Sequence, residues 1–195
     1  PGLDGRVIYH PRGKVLGGSG SINALVYHRG QAGDYDDWAA AGNDGWSYAD
    51  VAPHFEQLET PPQDDPGAPH LSVTDNSADF HPMGNDFLEI CRQGQLPVCD
   101  APAREGMGIT PYLTTTRDGQ RCSSAKAFLR PAMRRRNLTV VTGAHVSRIG
   151  FEGTRARSVC YSRNGQDFKV RAGAEIILAA GAVGSVSYTH LRAHE

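Results

Sequence analysis

No Cys-x-x-Cys pair occurs in this sequence. Cys91, Cys99, Cys122 and Cys160 stand apart, which excludes a zinc ribbon and a thioredoxin-type site. Four cysteines in a chain of 195 residues do not make a disulfide scaffold, so a reducing compartment is the expectation. No charge of one sign dominates either: 20 Lys and Arg against 21 Asp and Glu leave a net charge of −1. That balance lacks the basic footprint of a nucleic-acid binder. Long hydrophobic runs are missing too. The longest uncharged stretch, 176–191, has 16 residues, several of them polar, whereas a spanning helix needs about 20 mostly apolar ones. No signal peptide opens the chain, and Pro1 is not an initiator residue, so the natural N-terminus is expected upstream.

What the sequence does hold is turn-forming backbone. Its 23 glycines and 12 prolines exceed the usual shares of about 7% and 5%, without reaching the level of disordered segments. The chain reads as globular and rich in tight turns.

The pattern along the chain predicts mixed helices and strands. Residues 6–9 are β-prone and are broken by Pro11-Arg12-Gly13. A glycine-rich loop follows over 13–23, and 24–27 reads as the start of a buried helix. Ser47 with Asp50 predicts a capping pair, with Val51, Phe55 and Leu58 on one apolar face; Pro53 falls early enough to be accepted. Residues 60–69 read as a loop. Asn85 is expected to cap a helix carrying Phe87, Leu88 and Cys91, and Ser123 or Ser124 a third that runs through Phe128 until Pro131 interrupts it. Beyond it, 138–141, 145–151, 157–162 and 168–171 are β-prone, the last two flanking the hairpin signal Asn164-Gly165. Residues 174–180 (A-E-I-I-L-A-A) read as a strand buried on both faces of a parallel sheet. The fold class is therefore α/β with an inserted hairpin or meander.

The glycine-rich loop fails three known mechanisms. A hydrolase elbow, G-x-S-x-G, needs glycine where Ser21 stands. A P-loop starting at Gly13 and Gly18 needs lysine where Ser19 stands, and a G-x-G-x-x-G starting at Gly18 and Gly20 ends on Asn23. On composition a structural turn is as good a reading. His190 and His194 share metal-ligand spacing without the H-E-x-x-H pattern, and no metal is expected. Isolated His10, His28 and His145 read as surface or satisfied core groups, and Trp38 and Trp46 as core anchors. Arg130, Arg134, Arg135 and Arg136 read as a solvated helix end, and Asp34-Tyr35-Asp36-Asp37 as the first turn of a helix.

The run Gly13-Lys14-Val15-Leu16-Gly17-Gly18-Ser19-Gly20-Ser21-Ile22-Asn23, continuing to Tyr27, Gly30 and Asp36, resembles the first signature of the GMC (glucose–methanol–choline) oxidoreductases. Trp38, Gly45-Trp46-Ser47-Tyr48 and Phe55 are similar to the choline dehydrogenase-like branch. Arg121-Cys122-Ser123-Ser124-Ala125, Phe128-Leu129, Arg136-Asn137-Leu138 and Leu178-Ala179-Ala180-Gly181-Ala182 recur in family order, so the resemblance covers about 4–185.

The resemblance implies an incomplete FAD/NAD(P)-binding Rossmann-like domain with part of a substrate domain, α/β with an α+β insertion. Residues 1–60 would be FAD-binding domain with the flavin loop, 61–137 substrate-domain insertion, 138–185 returning FAD-domain strands, and 186–195 a foreign tail. It implies FAD beside Val15, Gly17, Gly18 and Ser19, with Asn23, Ala24, Leu25 and Val26 lining the flavin. Val146 would meet the adenine, and Ala180 and Gly181 would border the dinucleotide. Ile22 stands where some members carry a tethering histidine, so non-covalent FAD is expected, and Ala24 replaces a serine found in others. The implied activity is oxidation of a primary alcohol, choline-like, aliphatic or aromatic, with a quinone or oxygen as electron acceptor. The location implied is cytoplasmic or peripheral to a membrane. The family's G-x-G-x-x-G and catalytic histidine are expected outside this stretch, so the piece alone is expected to be inactive. The rival readings are a flavin-binding scaffold that has lost activity and, more weakly, a serine hydrolase using Ser19.

Overall fold

The computed structural model describes residues 4–99 and 107–191, the side chains of 187–191 excepted. Pro1, His194 and the end of the expected foreign tail, 192–195, lie outside the described residues. The chain divides into two compact units at Leu138/Thr139, each described by itself.

In the first unit the glycine-rich loop contains one 3-10 turn, Gly18–Ser21. The chain then extends as β1 (Val26–Tyr27), antiparallel to β2 (Leu113–Thr114). Where a helix start is expected over 24–27, Val26 and Tyr27 form a strand instead, because residues far along the chain supply a ladder that local pattern cannot show. β3 (Thr116–Arg117) and β4 (Gln120–Arg121) form a hairpin around Asp118 (φ 51°) and Gly119 (φ 69°), a two-residue Asp-Gly turn of the kind that suits strand twist. Thr74 joins β2, donating to Thr114 O at 2.8 Å and accepting from Thr114 N at 3.0 Å.

α1 (Ala32–Ala40) and α2 (Tyr48–Glu59) form a helical pair. Gln31 and Asp34 make a capping box on α1, and Ser47 and Asp50 make the expected one on α2. Tyr35 packs edge-on against Phe55 at 6.0 Å, and Asp36 accepts the Tyr48 amide at 2.9 Å. Leu58 leaves the expected apolar face and is exposed, and Trp38 and Trp46 are half-exposed and stack edge-to-face instead of anchoring a core.

α3 (Pro82–Gln93) is capped four residues before the expected cap, Asn85. His81 is its N-cap, with Nδ1 accepting Met83 N at 3.2 Å and Pro82 filling the first turn. Leu88 and Cys91 are buried, as their spacing predicts, but Phe87 is exposed. A π-turn, Ala125–Leu129, runs directly into α4 (Arg130–Ala132). Pro131 lies inside this continuous helical run, which ends one residue later at Ala132. Ser123 caps this run as expected, its Oγ accepting Lys126 N at 3.4 Å and its carbonyl Ala127 N at 2.8 Å, whereas Ser124 makes no cap bond. Cys122, Ala125 and Ala127 are the other buried apolar residues among those described in this unit.

The second unit is an antiparallel meander, β5 (His145–Glu152), β6 (Arg155–Arg163) and β7 (Gln166–Arg171), followed by α5 (Gly181–Leu191). The Asn164-Gly165 turn forms as its sequence predicts, with φ of 51° and 77°, and beyond it Tyr161 and Phe168 pair in register and stack at 5.2 Å. Residues 174–180 are not a strand: they form no ladder, and Ile177 is 81% exposed. Every ladder among the described strands is antiparallel, and the parallel contact is the isolated bridge Val98–Ile109. An apolar run becomes a strand only beside a partner, and none lies beside this one among the described residues. The same holds for 6–9, where Val7 is 95% exposed, and for 138–141.

Candidate functional site

The glycine-rich loop is built on backbone that side chains would disrupt. A Cβ on Gly13 would lie 2.2 Å from Gly18 O, so the start of the loop packs on its middle through bare backbone. Gly17 adopts φ +90°, and a Cβ there would meet Ser21 Oγ at 2.5 Å and Ala125 Cβ at 3.1 Å. Gly18 (φ +55°) and Gly20 differ, because a Cβ on either would project into open space. The loop thus presents an open face of unsubstituted backbone, the type of cradle that a large planar or phosphorylated ligand can approach closely.

Side-chain bonds fix this shape. Ser19 Oγ accepts Gly13 N at 3.2 Å, and Ser21 Oγ donates to Leu16 O at 2.9 Å. Asn23 Oδ1 accepts Leu25 N at 3.1 Å, which holds Leu25 at φ +70°, a conformation rare outside glycine. Thr115 donates to Leu25 O through its amide at 2.9 Å and its hydroxyl at 3.3 Å. Arg121 on β4 adds three bonds, Nη1 to Asn23 Oδ1 at 2.6 Å and to Gly20 O at 3.3 Å, and Nη2 to Asn23 O at 2.7 Å.

Just past the loop, Glu59 at the end of α2 receives three donors from two residues. Arg29 Nε lies 2.9 Å from its Oε1 while Nη2 bonds Oε2, and the Tyr27 hydroxyl bonds the same carboxylate. Burial, reinforced by this carboxylate, pushes the Tyr27 phenol well above its ordinary value. The Glu59 partner likewise pushes the Arg29 guanidinium up. A phenol harder to ionise folded than unfolded stabilises the fold fully below its unfolded pKa of about 10, and that stabilisation is lost as pH rises from there through the folded value. Denaturation midpoints measured from pH 9 to 12 are therefore expected to fall more steeply for the natural chain than for Tyr27→Phe; parallel curves would contradict this.

A cleft of about 520 Å³ opens between the loop and the segment after β4. Val15, Leu16 and Ser21 line one side, and Ser123, Lys126 and Arg130 the other. Among the described residues that line it none is acidic, and the charged ones, Arg121, Lys126 and Arg130, are cationic.

Of the residues expected to meet the cofactor, the structure brings Val15, Gly17, Gly18, Ser19, Asn23, Ala24, Leu25 and Val26 into one loop-to-strand unit. Val15 and Val26 are exposed. Val146 lies on β5 next to a bulge, opposite Tyr161, and Ala180 and Gly181 (φ +80°) lead into α5. These three belong to the second unit. For Ser19 as a nucleophile the geometry offers nothing: its Oγ takes the Gly13 amide, and among the described residues no histidine bonds it. Arg121 enters the sequence argument as part of a recurring motif and without a role. The signal that places it is Asp118-Gly119, which predicts the hairpin carrying it.

Comparison with known proteins gives a consistent result. The profile described as GMC oxidoreductase matches residues 2–187. Mitochondrial choline dehydrogenase of Homo sapiens is 41% identical, over 94% of this chain and 32% of that enzyme. Among solved structures, an FAD-dependent oxidoreductase from Chaetomium thermophilum superposes with a TM-score of 0.82 at 28% identity, over 94% of this chain and 35% of that one. Pyridoxine 4-oxidase from Mesorbium loti follows with a TM-score of 0.71 at 31% identity, over 83% and 33%. The chain spans about a third of the length of the curated relatives it matches.

Proposed function

The chain belongs to the GMC oxidoreductases, and from that premise we propose that it forms part of the flavin wall of an FAD-dependent enzyme that oxidises a primary alcohol to the aldehyde. The observation that carries this reading is the open backbone face at Gly18 and Gly20, on a loop held in shape from Gly13 to Val26. FAD, when bound, supplies the hydride acceptor, and the protein supplies binding, orientation and exclusion of competing reactions.

In this reading the bare backbone of Gly17 and Gly18 admits the cofactor closely, and Ser19 adds a hydroxyl. Asn23, Ala24, Leu25 and Val26 line the flavin, with Val15 nearby. Val146 meets the adenine, and Ala180 and Gly181 border the dinucleotide. Ile22 is half-exposed and has no nucleophilic atom, which supports non-covalent binding. Choline and pyridoxine, named for two of the relatives, both carry a primary hydroxyl, which supports an alcohol substrate. The electron acceptor is oxygen or a quinone. Among the described residues no helix is long and apolar enough to cross a membrane.

The test is flavin content and turnover. The complete enzyme is expected to purify yellow, release FAD on denaturation and reduce a dye when an alcohol is added, whereas this chain alone neither holds FAD tightly nor turns over. A complete enzyme without flavin, or one whose dye reduction ignores every alcohol offered, contradicts the reading.

A further inference from the structure

Arg121 stands out because its guanidinium donates to three oxygens of the glycine-rich loop from a strand nearly a hundred residues away in sequence. Two are main-chain carbonyls, Gly20 O and Asn23 O, and the third is Asn23 Oδ1. None is a carboxylate, so the fork is used for shape and not for charge neutralisation. Its planar donors reach carbonyls three residues apart, which fixes the curl of the chain between them; a lysine ammonium lacks that fork. The third bond bears on the next step of the chain. The same Asn23 Oδ1 that takes Arg121 Nη1 also takes Leu25 N, and Leu25 at φ +70° depends on that amide oxygen staying in place. Thr115, which links β2 to Arg121's hairpin, holds Leu25 O through its amide and its hydroxyl. Arg121 also lines the wall of the adjoining cleft.

We propose that Arg121 is a positioning residue: through Asn23 it sets the backbone conformation of residues 20–25. This deepens the reading above, on which that stretch lines the flavin. The second arginine of the same hairpin, Arg117, points elsewhere and bonds His70 O at 2.8 Å, so it serves as an internal control.

Amide hydrogen exchange in the 195-residue chain tests this directly. Arg121→Gln is expected to speed exchange of the Asn23 and Leu25 amides at least tenfold, with helix α2 unchanged. Arg121→Lys is expected to restore part of that protection, since an ammonium can satisfy one of the carbonyls, and Arg117→Gln to leave the loop as it is. Unchanged loop exchange in Arg121→Gln overturns the proposal. So does an equal loss across the whole first unit in both the Gln and Lys variants, which makes Arg121 a general fold contact. A second arm keeps the two readings apart. In the complete enzyme loaded with FAD, Arg121→Gln is expected to release flavin at least tenfold faster, with partial rescue by lysine. If the natural enzyme holds no FAD, the flavin reading fails while the exchange result still decides the role of Arg121. Loop exchange that rises with flavin release unchanged overturns Arg121's bearing on the cofactor.

Discussion

Replacing Gly17 with alanine is expected to destabilise the first unit by about 2 kcal/mol, from a left-handed conformation costing about 1–2 kcal/mol and overpacking of similar size. Both costs are visible at the position. Its φ is +90°, and the added Cβ would lie 2.5 Å from Ser21 Oγ and 3.1 Å from Ala125 Cβ. Ser21 cannot simply turn away, because its hydroxyl is donated to Leu16 O, and Ala125 is buried. Gly18→Ala is the matched comparison. It too has positive φ, but its Cβ meets nothing within 4 Å, so the expected cost is about 1 kcal/mol. Urea denaturation of the two variants separates strain from crowding. Equal losses would mean that the contacts around Gly17 relax freely, and the loop is softer than its packing implies.

Glu59→Ala is the second large effect expected, a loss of about 2 kcal/mol, set by charge-assisted bonds worth about 1.5–3 kcal/mol. The carboxylate side chain is 12% exposed and the arginine 27%, so solvent screens this pair less than a surface bridge. The Arg29 guanidinium stands 5.7 Å from the Phe55 ring centroid, and removing its acid strands a cation against that ring and the Tyr27 hydroxyl. The double variant Arg29→Ala/Glu59→Ala is expected to lose less than the two single losses added, because both report one interaction. Strict additivity in denaturation would show that the pair contributes nothing of its own. The same carboxylate helps hold the Tyr27 phenol in its neutral form, so Glu59→Ala should also soften the loss of stability above pH 10.

What the sequence made legible was local. Ser47-x-x-Asp50 caps a helix because both partners lie within one turn, and Asn164-Gly165 turns a hairpin because both residues tolerate positive φ. Strand identity was less legible, since it depends on partners. Val26 and Tyr27 are a strand because Leu113 and Thr114 lie beside them. Residues 174–180, with a stronger apolar run, find no such neighbour among the described residues. The α3 start differs from the expected one because His81 is an unusual cap, its ring nitrogen accepting where a hydroxyl or carboxylate is common. The loop itself was legible as bare backbone, but not the reason it holds one shape. That reason is a set of donors from Arg121 and Thr115, which no local spacing reveals.

The most direct measurement is an exchange footprint of FAD on the complete enzyme, comparing peptides across 13–26 with and without cofactor. The account predicts that FAD slows exchange over this loop, with the effect centred on the open backbone at Gly18 and extending to Leu25 and Val26. If FAD binds and protects other segments while the exchange of 13–26 stays unchanged, the loop does not line the flavin, and the central claim is wrong.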